Sequence, residues 1–245
     1  MIQWIKGILS ELISLPIFML LYFYNLEKRN PSPDNLKGTA PLVIGAHGYI
    51  HNSSSWFFAK RWFNKRRVPF VALTKKKAGG SIDLYKDQIV SLSERYLSYI
   101  RKNGLILLGH SMGGLAVSKG AIALLHAYPD LAGKMTVATL GSPLEGTYTA
   151  YIGFGQCAKE MYPHSPFTQN LLEQMTLHEK MLHFHHFGNK TDLLVIPYAS
   201  SIRSLPIRDP RVTLKEGIGH IALLYSKEIF SKILLMTNDD NRMSY

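Results

Sequence analysis

Residues 105–114 constrain the fold of this 245-residue chain more than any other stretch. Four consecutive apolar residues are typical of a buried strand, and residues 115–125 continue as an apolar helix. Between them, Gly-His-Ser-Met-Gly fits the G-x-S-x-G pattern of a serine on a sharp strand-to-helix turn. Such a turn needs small residues two positions before and after the serine, and Gly109 and Gly113 supply them. We therefore predict that Ser111 is a nucleophile at a helix N-terminus, where backbone amides favour developing negative charge.

Short apolar runs alternate with helical patterns along the remaining chain, which is typical of βαβ units and a mostly parallel sheet. The predicted strands cover residues 42–46, 68–73, 105–108, 135–140 and 182–187, with a weaker sixth at 211–213. The predicted helices cover residues 55–64, 82–101, 113–126, 167–177 and 221–236. Residues 143–178 include an irregular stretch with several glycines and prolines, which is either a minimal lid over a substrate or a structural loop.

Composition favours one globular domain. At this length, 46% apolar residues can fill a sizeable core, which excludes a disordered or collagen-like chain. The single cysteine, Cys157, excludes an internal disulfide and a cysteine-based metal site. The formal net charge of +11 favours an anionic partner, which leaves nucleic acid, anionic lipid and acidic substrates as alternatives.

Much of the positive charge lies in one stretch of the chain. Eight basic residues follow one another with no acidic residue between them: Lys60, Arg61, Lys65, Arg66, Arg67, Lys75, Lys76 and Lys77. Five aromatic residues are interleaved with them or just precede them: Trp56, Phe57, Phe58, Trp62 and Phe63. This mixture suits a membrane interface or a single-stranded nucleic acid, but it also fits one solvated helix face beside a turn. The chain has no zinc, helix-turn-helix or RNA-recognition pattern, so we expect no nucleic-acid partner.

The first 29 residues form a distinct apolar segment. With helical spacing, one arc of residues 2–15 is polar or small: Gln3, Lys6, Gly7, Ser10, Glu11 and Ser14. The opposite face is apolar, as in a helix that lies in a membrane interface: Ile2, Trp4, Ile5, Ile8, Leu9, Leu12, Ile13 and Leu15. The uninterrupted apolar run of residues 15–24 falls short of the roughly 20 residues needed to cross a bilayer.

These features predict membrane attachment through residues 1–29. Two alternatives remain open. The segment could be a helix packed on its own domain or on a second copy, or it could be a removed signal peptide, although no small-residue cleavage site follows it. Residues 30–40 contain two prolines with Asn and Asp and predict a stiff linker. A globular domain then covers residues 41–236, and a polar tail covers residues 237–245.

The Gly-His-Ser-Met-Gly-Gly stretch, with a strand before it and a helix after it, resembles the nucleophile turn of the α/β-hydrolase superfamily, and more narrowly of bacterial lipases and esterases. The resemblance covers residues 41–236. It implies an α/β fold with a central, mostly parallel sheet of about six strands flanked by helices. It also implies a Ser-His-Asp triad in the chain order nucleophile, acid, histidine, and a bacterial protein. The membrane location is expected from the apolar pattern of the N-terminal segment.

That order points to His220 as the base and Asp192 as the acid. His220 lies late in the chain, after Gly217-Ile-Gly219 and before a predicted helix, where it would accept the proton of Ser111. Asp192 follows a predicted strand and a glycine turn and precedes a Val and a Pro, as in the family. Its rival, Asp209, lies between arginines and before a proline that suits a turn.

The resemblance also implies two backbone donors for an oxyanion. One is the amide of Met112, the residue after the nucleophile. The other is the amide of Tyr49, because residues 43–49 resemble the family's His-Gly loop, in which His47 braces the loop. The family often has Ser-Pro-His-x-Gly after its sixth strand, whereas this chain has Leu144 in place of that histidine.

A cluster of histidines near the fifth predicted strand also fits a metal site in part. The cluster consists of His178, His183, His185 and His186. Only His183 and His185 share a strand face, and no carboxylate lies at ligand spacing, so structural histidines are the better interpretation. We expect no metal and no cofactor.

These patterns together predict a serine hydrolase that cleaves carboxylic esters through an acyl-enzyme, with a lipid or acyl ester as substrate and a membrane surface as partner. An acyltransferase or a thioesterase would need the same triad. A non-catalytic, membrane-attached interaction protein of the same fold is the alternative from another class.

Overall fold

A six-stranded sheet forms the centre of the molecule in the computed structural model, which describes residues 2–24, 30–74 and 76–240. The strands are β1 (Leu42–Ala46), β2 (Phe70–Leu73), β3 (Leu105–His110), β4 (Met135–Leu140), β5 (His183–Asn189) and β6 (Val212–Lys215). Their order is β2-β1-β3-β4-β5-β6, and every neighbouring pair is parallel. The predicted parallel sheet is confirmed, and all carboxyl ends of the strands meet at one edge.

Helices cover both faces of this sheet. They are α1 (Ile2–Tyr24), α2 (Phe57–Asn64), α3 (Ile82–Arg95), α4 (Leu97–Asn103), α5 (Met112–Ala127), α6 (Gln156–Glu160), α7 (Pro166–His178) and α8 (Lys227–Asp240). The single helix predicted over residues 82–101 is wrong, because it breaks at Tyr96, whose backbone leaves the helical region. The helix predicted from residue 221 is a 3-10 turn over Ile221–Tyr225, and α8 begins only after Ser226. α8 also includes residues 237–240 of the predicted tail, whose last five residues lie outside the described ranges.

Alternating side chains of the strands fill two separate cores. Leu42, Ile44 and Leu107 point to one face, where they pack against α3 and α5. Val43 and Ile106 point to the other face, where they meet aromatic side chains from α2, α8 and the chain around them: Trp56, Trp62, Phe63, Phe70 and Phe230. Because both faces are covered, β1 and the first four residues of β3 are apolar without alternation.

The basic and aromatic residues of the segment 56–67 separate into two environments. Trp62 and Phe63 are buried in the second core, whereas Arg61 and Lys65 are exposed. Arg66 lies over the ring of Trp62, with 3.8 Å between its guanidinium carbon and the ring centroid. The aromatic residues that appeared interleaved with charge in the sequence thus belong largely to the core, and a solvated basic face surrounds them. Lys75 lies outside the described residues.

α1 lies across the loops that follow β1, β5 and β6. Its polar face contacts Thr191 and the backbone of residues 217–221, and its C-terminal half contacts His51 and Ser54. Most of its apolar side chains are exposed, including Trp4, Leu9, Leu12, Ile13, Leu20 and Phe23, whereas Leu21 is buried. Residues Ile2–Phe23 have a mean hydropathy of 1.7 and are long and apolar enough to cross a membrane by those two criteria. An apolar N-terminal helix is therefore present, and its polar face is covered by protein from Gly7 to Ser14, whereas Gln3 and Lys6 are exposed.

Candidate active site

Ser111 occupies the sharp turn between β3 and α5. Its backbone has φ 53° and ψ −129°, a left-handed conformation that is strained for a residue with a side chain. The amide of Ser111 donates a hydrogen bond to the carbonyl of Leu140 at 2.9 Å, which fixes the turn to the end of β4. This geometry raises the serine side chain above the carboxyl edge of the sheet, at the N-terminus of a 16-residue helix.

The glycines around Ser111 allow the close passage of strand and helix. A side chain at Gly109 would place its Cβ 2.5 Å from the backbone of Gly113 and Gly114. A side chain at Gly113 would collide with the backbone carbonyl of Ala46 on β1. The small residues that the sequence pattern requires therefore have a steric cause in the structure.

His220 and Asp192 meet in a buried pair. Nδ1 of His220 lies 2.8 Å from Oδ2 of Asp192, and both side chains are almost fully buried. The other carboxylate oxygen of Asp192 accepts hydrogen bonds from the amides of Leu194 and Val195, each at 2.8 Å. The Asp192 carboxylate is thus fixed by backbone donors. Its hydrogen bond to His220 favours the tautomer with the proton on Nδ1, which leaves Nε2 as an acceptor.

The charges around His220 favour its protonated form. Burial lowers the pKa of the ring, but the charge and hydrogen bond of Asp192 and the charge of Glu11 together raise the pKa above the ordinary value for histidine. A base with such a pKa holds a proton well once it has accepted one.

Asp209, the rival acid, has a different partner. Its two carboxylate oxygens accept hydrogen bonds from the guanidinium of Arg211, at 2.9 Å and 2.7 Å. The Arg211 side chain lowers the pKa of Asp209 to about 2. Of the two acids that the sequence left open, the structure places Asp192 against His220.

His110 is a member of the site that the sequence analysis did not single out. It is the variable residue before Ser111, and its Nε2 donates to the backbone carbonyl of His220 at 3.1 Å. The two imidazole centroids lie 4.7 Å apart. Burial, with the charge of His220, holds the pKa of His110 well below its ordinary range, so the ring is neutral. The position of His110 within G-x-S-x-G places it near the nucleophile, but only the fold reveals its contact with His220.

The two residues predicted to supply oxyanion donors, Met112 and Tyr49, both lie close to Ser111. Met112 is the first residue of α5, directly after the nucleophile. Tyr49 lines the same cavity as Ser111, and its hydroxyl is held by the backbone of Phe154, with which it exchanges two hydrogen bonds of 2.7 Å. A Cβ on Gly48 would lie 3.0 Å from that of Ser111, so the loop before Tyr49 passes directly beside the nucleophile. His47 contacts this loop through a 2.7 Å hydrogen bond to the Gly48 carbonyl, as a bracing residue would.

A cavity of about 310 Å³ opens beside Ser111 and His220. Most of its lining is apolar and comes from three parts of the chain: Phe18 of α1, Ala150, Ile152, Ala158 and Met161 of the irregular segment, and Leu194, Val195 and Ile221 of the loops that carry the acid and the histidine. The candidate lid region 143–178 thus contributes a wall through a 3-10 turn, Tyr148–Ile152, and the short helix α6. A site of this kind suits an apolar ligand with one reactive polar group.

Two histidines of β5, His185 and His186, have surroundings typical of histidines packed in a sheet. His186 is buried, and its Nδ1 lies 2.9 Å from the hydroxyl of Thr139 on β4. Burial lowers the pKa of His185 to about 4. Within the described ranges, no group of three or more His, Cys, Asp or Glu side chains is placed to hold a metal ion.

Comparison with known proteins identifies the fold. The sequence matches no known protein family and no curated protein. Among solved structures, it is similar to lipase B of Aspergillus fumigatus, with a TM-score of 0.62 and 14% identity over 81% of this chain. This chain spans about half of that lipase, 52% of its length.

Two bacterial enzymes are similar over nearly their whole length. The mature form of a Bacillus licheniformis lipase has a TM-score of 0.59 and 14% identity, covering 85% of this chain and 96% of its own. A naproxen esterase of Bacillus subtilis has a TM-score of 0.53 and 11% identity, covering 82% of this chain and 84% of its own. The chain therefore has the α/β-hydrolase fold, as the resemblance of its nucleophile turn implied.

Proposed function

We propose that this protein is a serine hydrolase that cleaves carboxylic esters, with Ser111 as nucleophile, His220 as base and Asp192 as acid. The observation that carries the proposal is the shared cavity: Ser111 on its strained turn and His220, whose Nδ1 lies 2.8 Å from the Asp192 carboxylate, both line it. The similarity of the fold to lipases and esterases supports the same reaction class.

In this mechanism, Ser111 Oγ attacks the ester carbonyl while Nε2 of His220 accepts its proton. The carbonyl oxygen becomes an oxyanion, which receives hydrogen bonds from the amides of Met112 and Tyr49. His220 returns the proton to the leaving alkoxide as the carbon–oxygen bond breaks, and an acyl-Ser111 ester remains. Water, deprotonated by His220, then attacks this ester and releases the acid and free Ser111. Asp192 holds the ring in the required tautomer and stabilises the imidazolium.

A lipid or acyl ester is the substrate that the cavity favours. Its walls are mainly apolar side chains, including Phe18 from the N-terminal helix. Large apolar side chains are also exposed on the irregular segment around it, with Ile152 at 92% exposure and Tyr148, Tyr151 and Phe154 above half. Apolar surface around an apolar cavity suits a substrate that arrives from a lipid phase.

We also propose that α1 attaches the enzyme to a membrane by lying in its interface. The helix contacts the domain at Ser10, which accepts from the Gly219 amide, and again at the carbonyl of Leu21, which accepts from the Ser54 hydroxyl. It therefore runs along the protein rather than away from it. Its outward face presents exposed Leu, Ile, Trp and Phe side chains. This arrangement buries the apolar face in lipid while the domain stays at the surface.

Labelling with a fluorophosphonate probe tests the reaction class. We expect wild-type protein and a Ser98→Ala control, altered at an exposed serine of α4, to be labelled, and Ser111→Ala to lose labelling and about a millionfold of the hydrolysis rate. Absence of labelling in the wild type would favour the non-catalytic interaction protein. With p-nitrophenyl esters from acetate to laurate, a rate that rises with chain length supports a lipid substrate, and a preference for acetate contradicts it.

Flotation with liposomes tests the attachment. Leu9→Asp combined with Ile13→Asp places two charges on the outward face of α1 and should release the protein from the liposomes. Leu84→Asp with Leu177→Asp is the matched control, because these side chains are equally exposed but lie elsewhere on the surface. Equal flotation of both double variants would contradict attachment through α1.

A further inference from the structure

The polar face of α1 is packed directly against the loop that carries His220. The hydroxyl of Ser10 accepts a hydrogen bond from the amide of Gly219 at 2.5 Å. The carboxylate of Glu11 accepts from the amide of Ile221, with 3.0 Å and 3.2 Å to its two oxygens. Two neighbouring residues of the helix therefore hold the backbone immediately before and immediately after the histidine.

The helix and the loops pack so closely that each side of the contact has a glycine, namely Gly7 on α1 and Gly219 on the loop of His220. A side chain at Gly219 would collide with Glu11, and a side chain at Gly7 would collide with Thr191, which follows the acid-bearing strand. Thr191 in turn donates from its hydroxyl to the carbonyl of Ile218 at 2.9 Å. The helix, the acid loop and the histidine loop thus form one interlocked unit.

Glu11 also contributes charge at this point. The ionisable groups that face His220 are Asp192 from the acid loop, Glu11 from α1 and His110 from the nucleophile turn. Glu11 is partly buried, which raises its own pKa, and its charge acts with that of Asp192 to raise the pKa of His220. Tyr225, which also faces Glu11, has its pKa raised by burial and stays neutral.

We propose that Glu11 is a positioning residue for His220, so that the membrane-attached helix is itself a component of the active site. Its carboxylate fixes the backbone on the C-terminal side of the histidine and stabilises the imidazolium that forms when His220 accepts the Ser111 proton. This inference rests on the proposed function, because it assigns Glu11 a part in that reaction.

The test compares Glu11→Gln with wild-type full-length protein in detergent micelles. Gln can still accept from the Ile221 amide, so we expect the variant to fold with an unchanged far-UV spectrum. Because the variant loses the charge that stabilises the imidazolium, its rate of labelling by the fluorophosphonate probe and its kcat should fall about ten- to a hundredfold with KM little changed. Because a negative charge is lost beside His220, the acidic limb of the labelling rate should move to lower pH.

The matched control is Glu216→Gln, which removes one negative charge from the chain just before Gly217. Glu216 pairs with Lys190 at the surface, and this control should leave the rate and the acidic limb as in the wild type. A Glu11→Gln variant with the wild-type rate and limb overturns the proposal, as does an equal effect of Glu216→Gln. If the wild type itself is not labelled, the proposed function has failed, and that outcome is distinguishable from a labelled wild type with an indifferent Glu11.

A second variant covers the case in which Glu11→Gln does not fold. Glu11→Asp keeps the charge but is one methylene too short to reach the Ile221 amide. We expect a reduced labelling rate with the acidic limb at its wild-type position. An unchanged rate in Glu11→Asp would show that this contact does not position His220, and the proposal would be abandoned.

Discussion

The nucleophile turn and the histidine loop are held in place by different means. Ser111 lies between a strand and a helix that are continuous with it, and the glycines that permit its conformation are within two residues. His220 lies in a loop between β6 and a 3-10 turn. The residues that contact His220 or the following Ile221 come from 28, 110 and 210 residues away along the chain. The conformation of the Ser111 turn is therefore specified by nearby residues, whereas the position of His220 depends on the assembled tertiary structure.

Replacing Asp192 by Asn should have the largest effect of the variants that alter the surroundings of His220. The amide offers a donor where the Nδ1 proton needs an acceptor, so the ring would turn to the wrong tautomer and kcat should fall about 10⁴-fold. Assays with a soluble p-nitrophenyl ester measure this loss. Asp209→Asn is the control and should change kcat by less than about threefold. If Asp209→Asn caused the larger loss, the assignment of the acid would be wrong.

Gly113→Ala tests whether the turn at Ser111 requires a glycine two residues after the serine. The added methyl group meets the Ala46 carbonyl, which is backbone and cannot rotate away, so we expect about 3 kcal/mol less free energy of unfolding. Urea denaturation gives this value. Gly79→Ala, whose new methyl would make ordinary contacts at 3.4 Å, should cost less than about 1 kcal/mol. Similar losses in both variants would contradict a special steric requirement at the turn.

His110→Leu sharpens the comparison, because this residue belongs to the local turn but contacts the distant loop. Losing its hydrogen bond leaves the His220 carbonyl buried without that donor, and kcat should fall roughly tenfold while KM is unchanged. His126→Leu, which alters a histidine pair on α5 and α7, is the control. A wild-type kcat in His110→Leu would remove this residue from the site.

The smallest expected effect is a displacement of the pH profile. The reaction needs neutral His220, and the raised pKa keeps the ring protonated to a higher pH than an ordinary histidine. The acidic limb of kcat/KM for the wild type should therefore have its midpoint above pH 6.5. A midpoint below this value would show that burial outweighs the two carboxylates near the ring.

The sequence predicted features that depend on neighbouring residues, such as the strands and the Ser111 turn. The predicted strands at 42–46 and 135–140 coincide with β1 and β4, because continuous apolar runs between turn residues are local signals. The Ser111 turn was predictable for the same reason, since its glycines and flanking elements are contiguous. β2 begins at Phe70 instead of residue 68, a difference of the size usual at element ends.

The contacts of the histidine loop could not be predicted in this way. Asp192 and Asp209 both lie between β5 and β6, and only the fold shows which of them turns toward His220. The polar arc of α1 signalled that one face needs polar surroundings, but water, lipid headgroups and protein satisfy that need equally well. Glu11 precedes His220 by 209 residues, yet its carboxylate contacts the amide of Ile221, the residue after His220. No pattern in the sequence indicated this contact.

The cavity wall contributed by Phe18 bears on how such an enzyme is prepared in the laboratory. Trimming the apolar N-terminal segment is a common way to improve yield in aqueous buffer. Here the same cut would open the cavity on one side and remove the side chains that hold the loop of the base. An engineered form meant to dissolve freely should instead keep residues 2–24 and exchange only the outward-facing Leu and Ile side chains for polar ones.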